Sequence, residues 1–173
     1  MAEFVFFWGH KPVDKIGKNC LSQWFPCKFK VDGIEYNCAE QYMMAEKARM
    51  FNDDETLALI LAETDPRNIK ALGRKVKNFD ADLWSSKCRA IVYRGNLTKF
   101  MQNEDLKSYL LSTNEATLVE ASPYDKIWGI GMLEHDKGVE DPKNWKGTNL
   151  LGKTLMTVRS TIMTAESIAE KMH

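Results

Sequence analysis

The stretch Leu118–Gly131 constrains the fold of this chain more than any other. Its apolar beginning predicts a short buried strand over Ala116–Ala121, and Pro123 ends that strand because proline cannot donate a ladder hydrogen bond. Two carboxylates, Glu120 and Asp125, lie five residues apart in this otherwise apolar or small run. The pattern indicates one wall of a pocket or, more simply, a strand followed by a surface turn.

The same stretch ends in Trp128-Gly129-Ile130-Gly131. Two glycines around an isoleucine are typical of a backbone that approaches another group closely. The motif lacks the third glycine and the strand–helix context of a dinucleotide-binding fingerprint. The motif is compatible with two interpretations. Trp128 either lines a pocket with its indole or is an ordinary core residue.

Composition excludes several classes of protein. The chain has 173 residues, which fits one domain. Its 24 basic and 24 acidic residues cancel, so a nucleic acid could be bound only through a local pocket and not through the net charge of the protein. No apolar run has the length of a transmembrane helix, and no membrane partner is expected. The four cysteines lack metal-ligand spacing and are expected to be reduced thiols of an intracellular protein, cytoplasmic or, in a eukaryote, nuclear. With three histidines, a His-based metal site or catalytic triad is not expected, and no cofactor is predicted.

Local patterns predict a single α+β domain over residues 1–173, mostly helical, in which the early strands and the central strand form one small sheet. Asp32-Gly33 between alternating residues predicts a hairpin, and Phe4–Trp8 predicts a further strand. Six helices are predicted: Cys38 to about Phe51, Asp54–Glu63, Asp65 to about Gly73, Asp82 to about Met101, Asn103–Ser112, and one from Leu151 through Ile162 to the C-terminal end. Thr148 or Asn149 is predicted to cap the last helix.

The helix that begins near Cys38 carries an unusual pair of charges. Asn37 and Glu40 fit a capping box, and Glu40 and Lys47 are two helical turns apart, so they share a face. Methionines and alanine flank that face, which is uncommon for a surface helix. The alternative is that Glu40 only caps the helix while Lys47 extends to solvent. Arg74, at another helix end, would either hold a phosphate or complement the helix dipole.

Carboxylates combined with aromatic side chains suit the cleavage of a glycoside or an N-glycoside. An oxocarbenium-like centre needs nearby negative charge, and the leaving group needs a proton. The same residues would also suit a nucleotide-binding pocket without catalysis.

The chain resembles the NADAR (YbiA-like) family from about Leu21 to Arg159. The matching motifs are Leu21-Ser22-Gln23-Trp24-Phe25-Pro26, Glu40-Gln41-Tyr42 with Ala45 and Lys47, Gly73-Arg74, Trp84, Lys99-Phe100, Gln102-Asn103, Leu118, Glu120-Ala121-Ser122, Asp125, Trp128–Gly131, Trp145, Gly147, Asn149, Leu151-Gly152, Leu155-Met156 and Val158-Arg159. Gln23 stands where asparagine is commoner, and Met43-Met44 replaces a more polar pair. These differences affect details of the expected pocket more than the resemblance to the family.

The resemblance implies a hydrolase that cleaves the bond between ribose and an exocyclic amine without a metal. One implied substrate is ADP-ribose on the guanine amino group of DNA or nucleotides. The other is a phosphoribosylaminopyrimidine, an early intermediate of riboflavin biosynthesis. We expect the first, since no riboflavin-pathway domain is fused to this chain. A module that binds ADP-ribose without cleaving it is the third possibility.

The resemblance also implies which residues form the site. Glu40, Lys47 and Asp125 are expected to carry the chemistry. The residues expected to bind or orient substrate are Ser22, Trp24, Phe25, Arg74, Trp84, Asn103, Glu120, Trp128, Gly129, Gly131, Trp145 and Asn149.

Overall fold

The computed structural model describes residues 3–10 and 15–173. In chain order the elements are β1 (Phe4–Phe7), β2 (Phe29–Val31), β3 (Ile34–Tyr36), α1 (Ala39–Met50), α2 (Asp54–Ala62), α3 (Pro66–Arg74), α4 (Ala81–Gln102), α5 (Glu104–Ser112), β4 (Thr117–Glu120) and α6 (Leu150–Lys171), with short 3-10 helices at Lys18–Leu21 and Pro142–Asn144. The α+β class and the six predicted helices are confirmed. None of the helices in the described part of the chain is long and apolar enough to cross a membrane.

The chain divides into two compact units. Unit 1 comprises Met1–Ser22 and Glu104–His173, and unit 2 comprises Gln23–Asn103.

Unit 1 is built on the parallel pair of β1 and β4, in which Phe4 lies opposite Thr117 and Phe7 opposite Glu120. Helix α6 packs against β4, and α5 packs against α6 and the first 3-10 helix. A core cluster is formed by Val119, Ala121, Ile130, Met132 and Val139, on which Phe4, Phe6 and Trp145 pack. The central strand predicted over 116–121 is confirmed within one residue at each end.

Unit 2 is a hairpin with four helices. The Asp32-Gly33 turn has positive φ at both positions, as a two-residue hairpin turn of this kind requires, so the predicted hairpin is confirmed. Helix α1 packs against α2, α3 and α4, and α4 also packs on β2. Helix α4 continues through Gly95, where a Cβ atom would lie 2.5 Å from Cδ1 of Tyr42, so the glycine allows the two helices to approach.

The prediction of one small sheet is wrong. Strand β1 pairs with β4 in one sheet, and among the described residues β2 pairs with β3 alone in another. The hairpin is closed locally by its two-residue turn, and its inward side chains Phe29 and Tyr36 pack against Tyr42 of α1. A parallel pair instead needs a long connection, which here is the whole of unit 2 and α5.

The two predicted side-chain caps also proved wrong. Cys38 is the N-cap of α1 without a capping side chain, and the Asn37 amide donates instead to the carbonyl of Glu63 at 3.1 Å. The backbone N–H of Asn37 donates to Oε1 of Gln41 at 2.8 Å, so Gln41 makes the bond expected of Glu40. Asn149 precedes α6 in the left-handed region and its side chain makes no cap.

Gly152, near the start of α6, is the position where a methyl group should be least tolerated. A Cβ atom there would lie 2.0 Å from the backbone oxygen of Leu118 in β4, which cannot move as a side chain can. We expect Gly152→Ala to lower the free energy of unfolding by about 1–3 kcal/mol, the usual cost of overpacking. The helix-propensity gain of about 1 kcal/mol is too small to offset severe overlap.

Urea titration followed by circular dichroism measures this effect. Gly17→Ala is the matched control, since a Cβ atom there has nothing within 4 Å. Equal unfolding midpoints for the two variants would contradict the close approach of α6 to β4.

Candidate active site

Helix α1 positions the two charged residues on one side. Because seven residues make nearly two helical turns, Glu40 and Lys47 lie on the same face of the helix. Glu40 is buried, with 7% of its surface exposed, and Lys47 is half-buried. A long side chain in a helix points back towards the N-terminus, which directs Lys47 towards Glu40.

Two aromatic rings lie near the ammonium of Lys47. Its ammonium lies 4.5 Å from the ring centroid of Phe79 and 5.6 Å from that of Trp84. Phe51 packs edge-on against Phe79, with 5.4 Å between centroids. Within the described part of the chain, Lys47 forms no ion pair. We call Glu40, Lys47, Arg74, Phe79 and Trp84 the lysine cluster.

Burial lowers the pKa of the Lys47 amine, because a charged ammonium loses hydration in this place. The nearby carboxylate of Glu40 opposes this, and the guanidinium of Arg74 lowers the pKa further. The aromatic faces favour the cation. The amine is therefore neutral more often than an exposed lysine, while groups that stabilise a positive charge remain beside it.

Arg74 is the last residue of α3 and is exposed. Its side chain makes no hydrogen bond or ion pair with another described residue, so the guanidinium is available to an anion. Its effect on the pKa of Lys47 places it in electrostatic range of the amine.

The remaining predicted residues of unit 2 are Trp24, Phe25 and Asn103. Trp24 is half-buried, and Phe25 is buried with the ammonium of Lys99 at 5.8 Å from its ring centroid. Asn103 follows α4 and donates to the carbonyls of Lys28 and Lys99, at 3.0 and 2.8 Å. The bond to Lys28 ties the end of α4 to the start of the hairpin, and the bond to Lys99 closes the last turn of α4.

A second set, the strand-end group, lies in unit 1 and consists of Glu120, Asp125, Trp128, Gly129, Gly131 and Asn149. Glu120 is half-buried at the carboxyl end of β4. Oδ1 of Asp125 accepts from the backbone N–H groups of Ile127 and Trp128, at 2.9 and 2.8 Å, which fixes the carboxylate over the turn. Trp128 follows this turn and is half-buried.

Asn149 ties the start of α6 to β4. Its Oδ1 accepts from the backbone N–H of Glu120 and its Nδ2 donates to the carbonyl of Leu118, both at 3.0 Å. The side chain thereby pairs with the free edge of β4 and holds the backbone of Glu120 in place.

The glycines of the strand-end group, together with Gly147, bring backbones together. A Cβ atom on Gly129 would lie 2.9 Å from the carbonyl oxygen of Asp125, and one on Gly147 would lie 2.3 Å from that of Gly129. Gly131 has φ of +67°, which favours glycine. The expected close approach is therefore one of backbone to backbone within unit 1, and binding of substrate by Gly129 and Gly131 stays a prediction.

Two further predicted residues of unit 1 lie elsewhere. Ser22 ends the first 3-10 helix and is half-buried. Trp145 donates from its indole to the carbonyl of Val139 at 2.7 Å and packs edge-on against Phe4. Its ring is thus part of the core of unit 1, and stacking on a base stays a prediction.

The structure also shows what the sequence did not indicate. Phe79, in the loop before α4, was not predicted, since an isolated aromatic in a loop has no periodicity to mark it.

The Cys38 thiol has its pKa raised to about 12, chiefly by burial, which makes it a poor nucleophile. Cavities of about 520 and 410 Å³ in unit 2 contain none of the predicted site residues. Among the described residues, no group of three or more His, Cys, Asp or Glu side chains could hold a metal ion.

A catalytic role of Glu40 can be tested separately from a role in helix capping, because the side chain of Gln41, not that of Glu40, accepts the bond from the backbone N–H of Asn37. We expect Glu40→Gln to lower kcat by about 100-fold or more, in the range for loss of a general acid–base group, with little change in melting temperature. Steady-state kinetics and calorimetry on the same preparation measure both quantities.

Gln41→Leu is the matched control, because Gln41 bonds to Asn37, Ile60 and Glu63. It should lose about 1–3 kcal/mol of stability and keep its kcat. An active Glu40→Gln enzyme would remove Glu40 from the chemistry.

This chain is similar to several known proteins. The family model described as the NADAR domain matches residues 6–163. An N-glycosidase of Acanthamoeba polyphaga mimivirus is 47% identical over 91% of this chain and 95% of its own length. A riboflavin biosynthesis protein of Vibrio vulnificus is 30% identical over 94% of this chain and 39% of its own length. The NMR structure of the E. coli protein YbiA superposes with a TM-score of 0.77 and 26% identity, covering 96% of this chain and 89% of that one.

The fold and these matches define an enzyme of the N-glycosidase class, as predicted. The chain belongs to the NADAR domain family, whose model covers most of both units.

Proposed function

We propose that this protein removes ADP-ribose from the exocyclic amino group of guanine in DNA or nucleotides, with residues 1–173 acting as one domain. The observation that carries the proposal is Lys47, a half-buried amine of lowered pKa beside aromatic rings and on the same helix face as a buried glutamate. A neutral amine is a nucleophile, and the rings favour the cationic species that follows attack.

The proposed reaction begins with opening of the ribose ring. The lone pair of the exocyclic nitrogen forms a C1=N bond as the bond from C1 to the ring oxygen breaks, and that oxygen takes a proton. The amine of Lys47 adds to C1, the guanine amine is protonated and leaves, and a lysine–sugar Schiff base remains. Water then adds to C1, and collapse of the adduct releases ADP-ribose and regenerates the amine. Glu40 is proposed to move the protons.

The other residues have supporting roles in this proposal. Asp125 supplies negative charge to the developing cation at the sugar, and Arg74 binds a phosphate. Trp84 and Trp128 are proposed to contact the planar or sugar parts of the substrate. The competing route is direct attack of water under carboxylate control, with Lys47 acting as a fixed cation.

The deciding experiment is incubation of the purified protein with an oligonucleotide carrying ADP-ribose on guanine, in the presence of EDTA. We expect release of free ADP-ribose and recovery of unmodified guanine, detected by mass spectrometry. Intact substrate after long incubation, with a working positive-control enzyme, would refute the proposal. Binding of ADP-ribose by calorimetry without any turnover would instead identify a non-catalytic binding module.

A second candidate substrate is a phosphoribosylaminopyrimidine, the early riboflavin intermediate. The similarity to the riboflavin biosynthesis protein of Vibrio vulnificus favours it, although that protein extends well beyond the matched region. Both substrates join ribose to an exocyclic amine, so the same lysine chemistry would serve either. A comparison of kcat/KM on the two substrates decides, and a large preference for the pyrimidine would reverse our ranking.

A further inference from the structure

Two exposed aromatic side chains lie at one end of the parallel strand pair of unit 1. Trp8 directly follows β1 and is 50% exposed, and Tyr124 follows β4 and is 87% exposed. Their rings meet edge to face, with 6.0 Å between centroids and 61° between planes. Because β1 and β4 run parallel, with Phe7 opposite Glu120, both residues leave the sheet at the same edge.

This exposure is not needed by the fold. The other four tryptophans of the chain are all half-buried, whereas Trp8 leaves half of its surface in water. A large exposed aromatic surface stabilises the protein little, and paired exposed aromatics are a common feature of binding surfaces. Tyr124, at 87% exposure, has ring surface open to a flat partner.

The neighbouring residues indicate the chemistry of that partner. Lys126 is exposed and forms no ion pair within the described ranges, and Ile127 adds apolar surface that is 59% exposed. Lys126 lies two residues after Tyr124 in the same loop, and proteins hold unpaired nucleobases and the phosphates between them by combining exposed aromatic rings with cationic side chains. The chain as a whole has no net charge to attract nucleic acid, so such a contact must be local.

We infer that Trp8 and Tyr124 stack on an unpaired nucleobase of a single-stranded polynucleotide, with Lys126 contacting its backbone phosphate. The inference deepens the proposed function and rests on it, because it makes the polynucleotide the substrate and this base a neighbour of the modified guanine. A protein partner would use the apolar surface but has no comparable need for a flat ring beside a phosphate-binding cation.

The first test measures binding without catalysis. Fluorescence anisotropy with labelled, unmodified single-stranded DNA of about ten nucleotides should show saturable binding at low salt. We expect Trp8→Ala and Tyr124→Ala each to raise Kd by about 5- to 150-fold, the range found when a stacking ring is removed. Tyr124→Phe keeps the ring and should stay within about twofold of wild type, and Lys126→Gln should flatten the salt dependence by about one phosphate contact.

Leu133→Ala is the matched control, since Leu133 is an exposed apolar residue of the same unit. It should leave Kd unchanged. An absence of saturable binding by the wild type, or an unchanged Kd in both aromatic variants, would overturn the inference. Circular dichroism checks the fold of each variant, and the two alanine variants provide independent measurements.

The second test separates a neighbouring base from the base of the substrate itself. Trp8→Ala should lower kcat/KM on an ADP-ribosylated oligonucleotide and leave it unchanged on an ADP-ribosylated guanine mononucleotide. An equal loss on both substrates would overturn the assignment to a neighbouring base. DNA binding that depends on the aromatic pair, without release of ADP-ribose, would refute the proposed function while leaving the stacking surface in place.

Discussion

Borohydride added during turnover should trap the sugar on Lys47 as a stable secondary amine. Intact mass spectrometry should show the mass of one ADP-ribosyl group plus the two hydrogens added by reduction, and peptide mapping should place the adduct on Lys47. In Lys47→Arg the guanidinium keeps the charge but cannot form the Schiff base, so we expect activity to fall by roughly 10³- to 10⁶-fold, as when a covalent nucleophile is removed. Lys77→Arg is the matched control, because Lys77 is exposed and pairs with Glu55. The control should keep both the adduct and the activity.

The pH dependence of kcat/KM tests the role of the Lys47 amine independently. An ordinary lysine has a pKa of about 10.4, and burial lowers that of Lys47, so its nucleophilic neutral form appears at lower pH. The rising limb of kcat/KM should therefore lie below pH of about 10.4 and level off above the pKa of Lys47. Phe79→Leu removes a ring that stabilises the ammonium and should move this limb to lower pH. If no adduct formed and Lys47→Arg kept residual activity, the result would show that the carboxylates, and not a Schiff base on Lys47, carry the reaction.

Asp125→Asn should lower kcat by about 100-fold or more with the fold intact. The asparagine carbonyl can still accept the two bonds from Ile127 and Trp128, so the turn is kept and only the negative charge is lost. Loss of one preorganised electrostatic group costs about 10²- to 10³-fold in rate. Steady-state kinetics and a melting curve measure the two effects separately.

Asp136→Asn is the control for this substitution. Asp136 also accepts a backbone N–H bond in a turn of unit 1, from Leu133 at 2.9 Å, but lies outside the strand-end group. It should leave kcat unchanged. If Asp125→Asn had the activity of the wild type, the carboxylate of Asp125 would serve only to stabilise the turn.

The sequence by itself determined the elements that are specified locally. The Asp32-Gly33 turn forms because both residues tolerate positive φ, and α3 begins at Pro66 with Asp65 accepting from the N–H of Arg67. Helical periodicity also put Glu40 and Lys47 on one face, since that relation depends only on their spacing along α1. These features need no contact between distant parts of the chain.

The tertiary structure decided the partners of the side chains that can bond in several ways. Asn37 fits a local cap, yet its amide meets the carbonyl of Glu63, and Asn149 bonds to β4 although it directly precedes a helix. Polar groups at helix ends need a partner but do not specify which one, so a distant backbone can replace the local one. Phe79 reaches Lys47 for a related reason: packing of α1 against α4 brings the loop before α4 beside the lysine, and no pattern in the sequence encodes that contact.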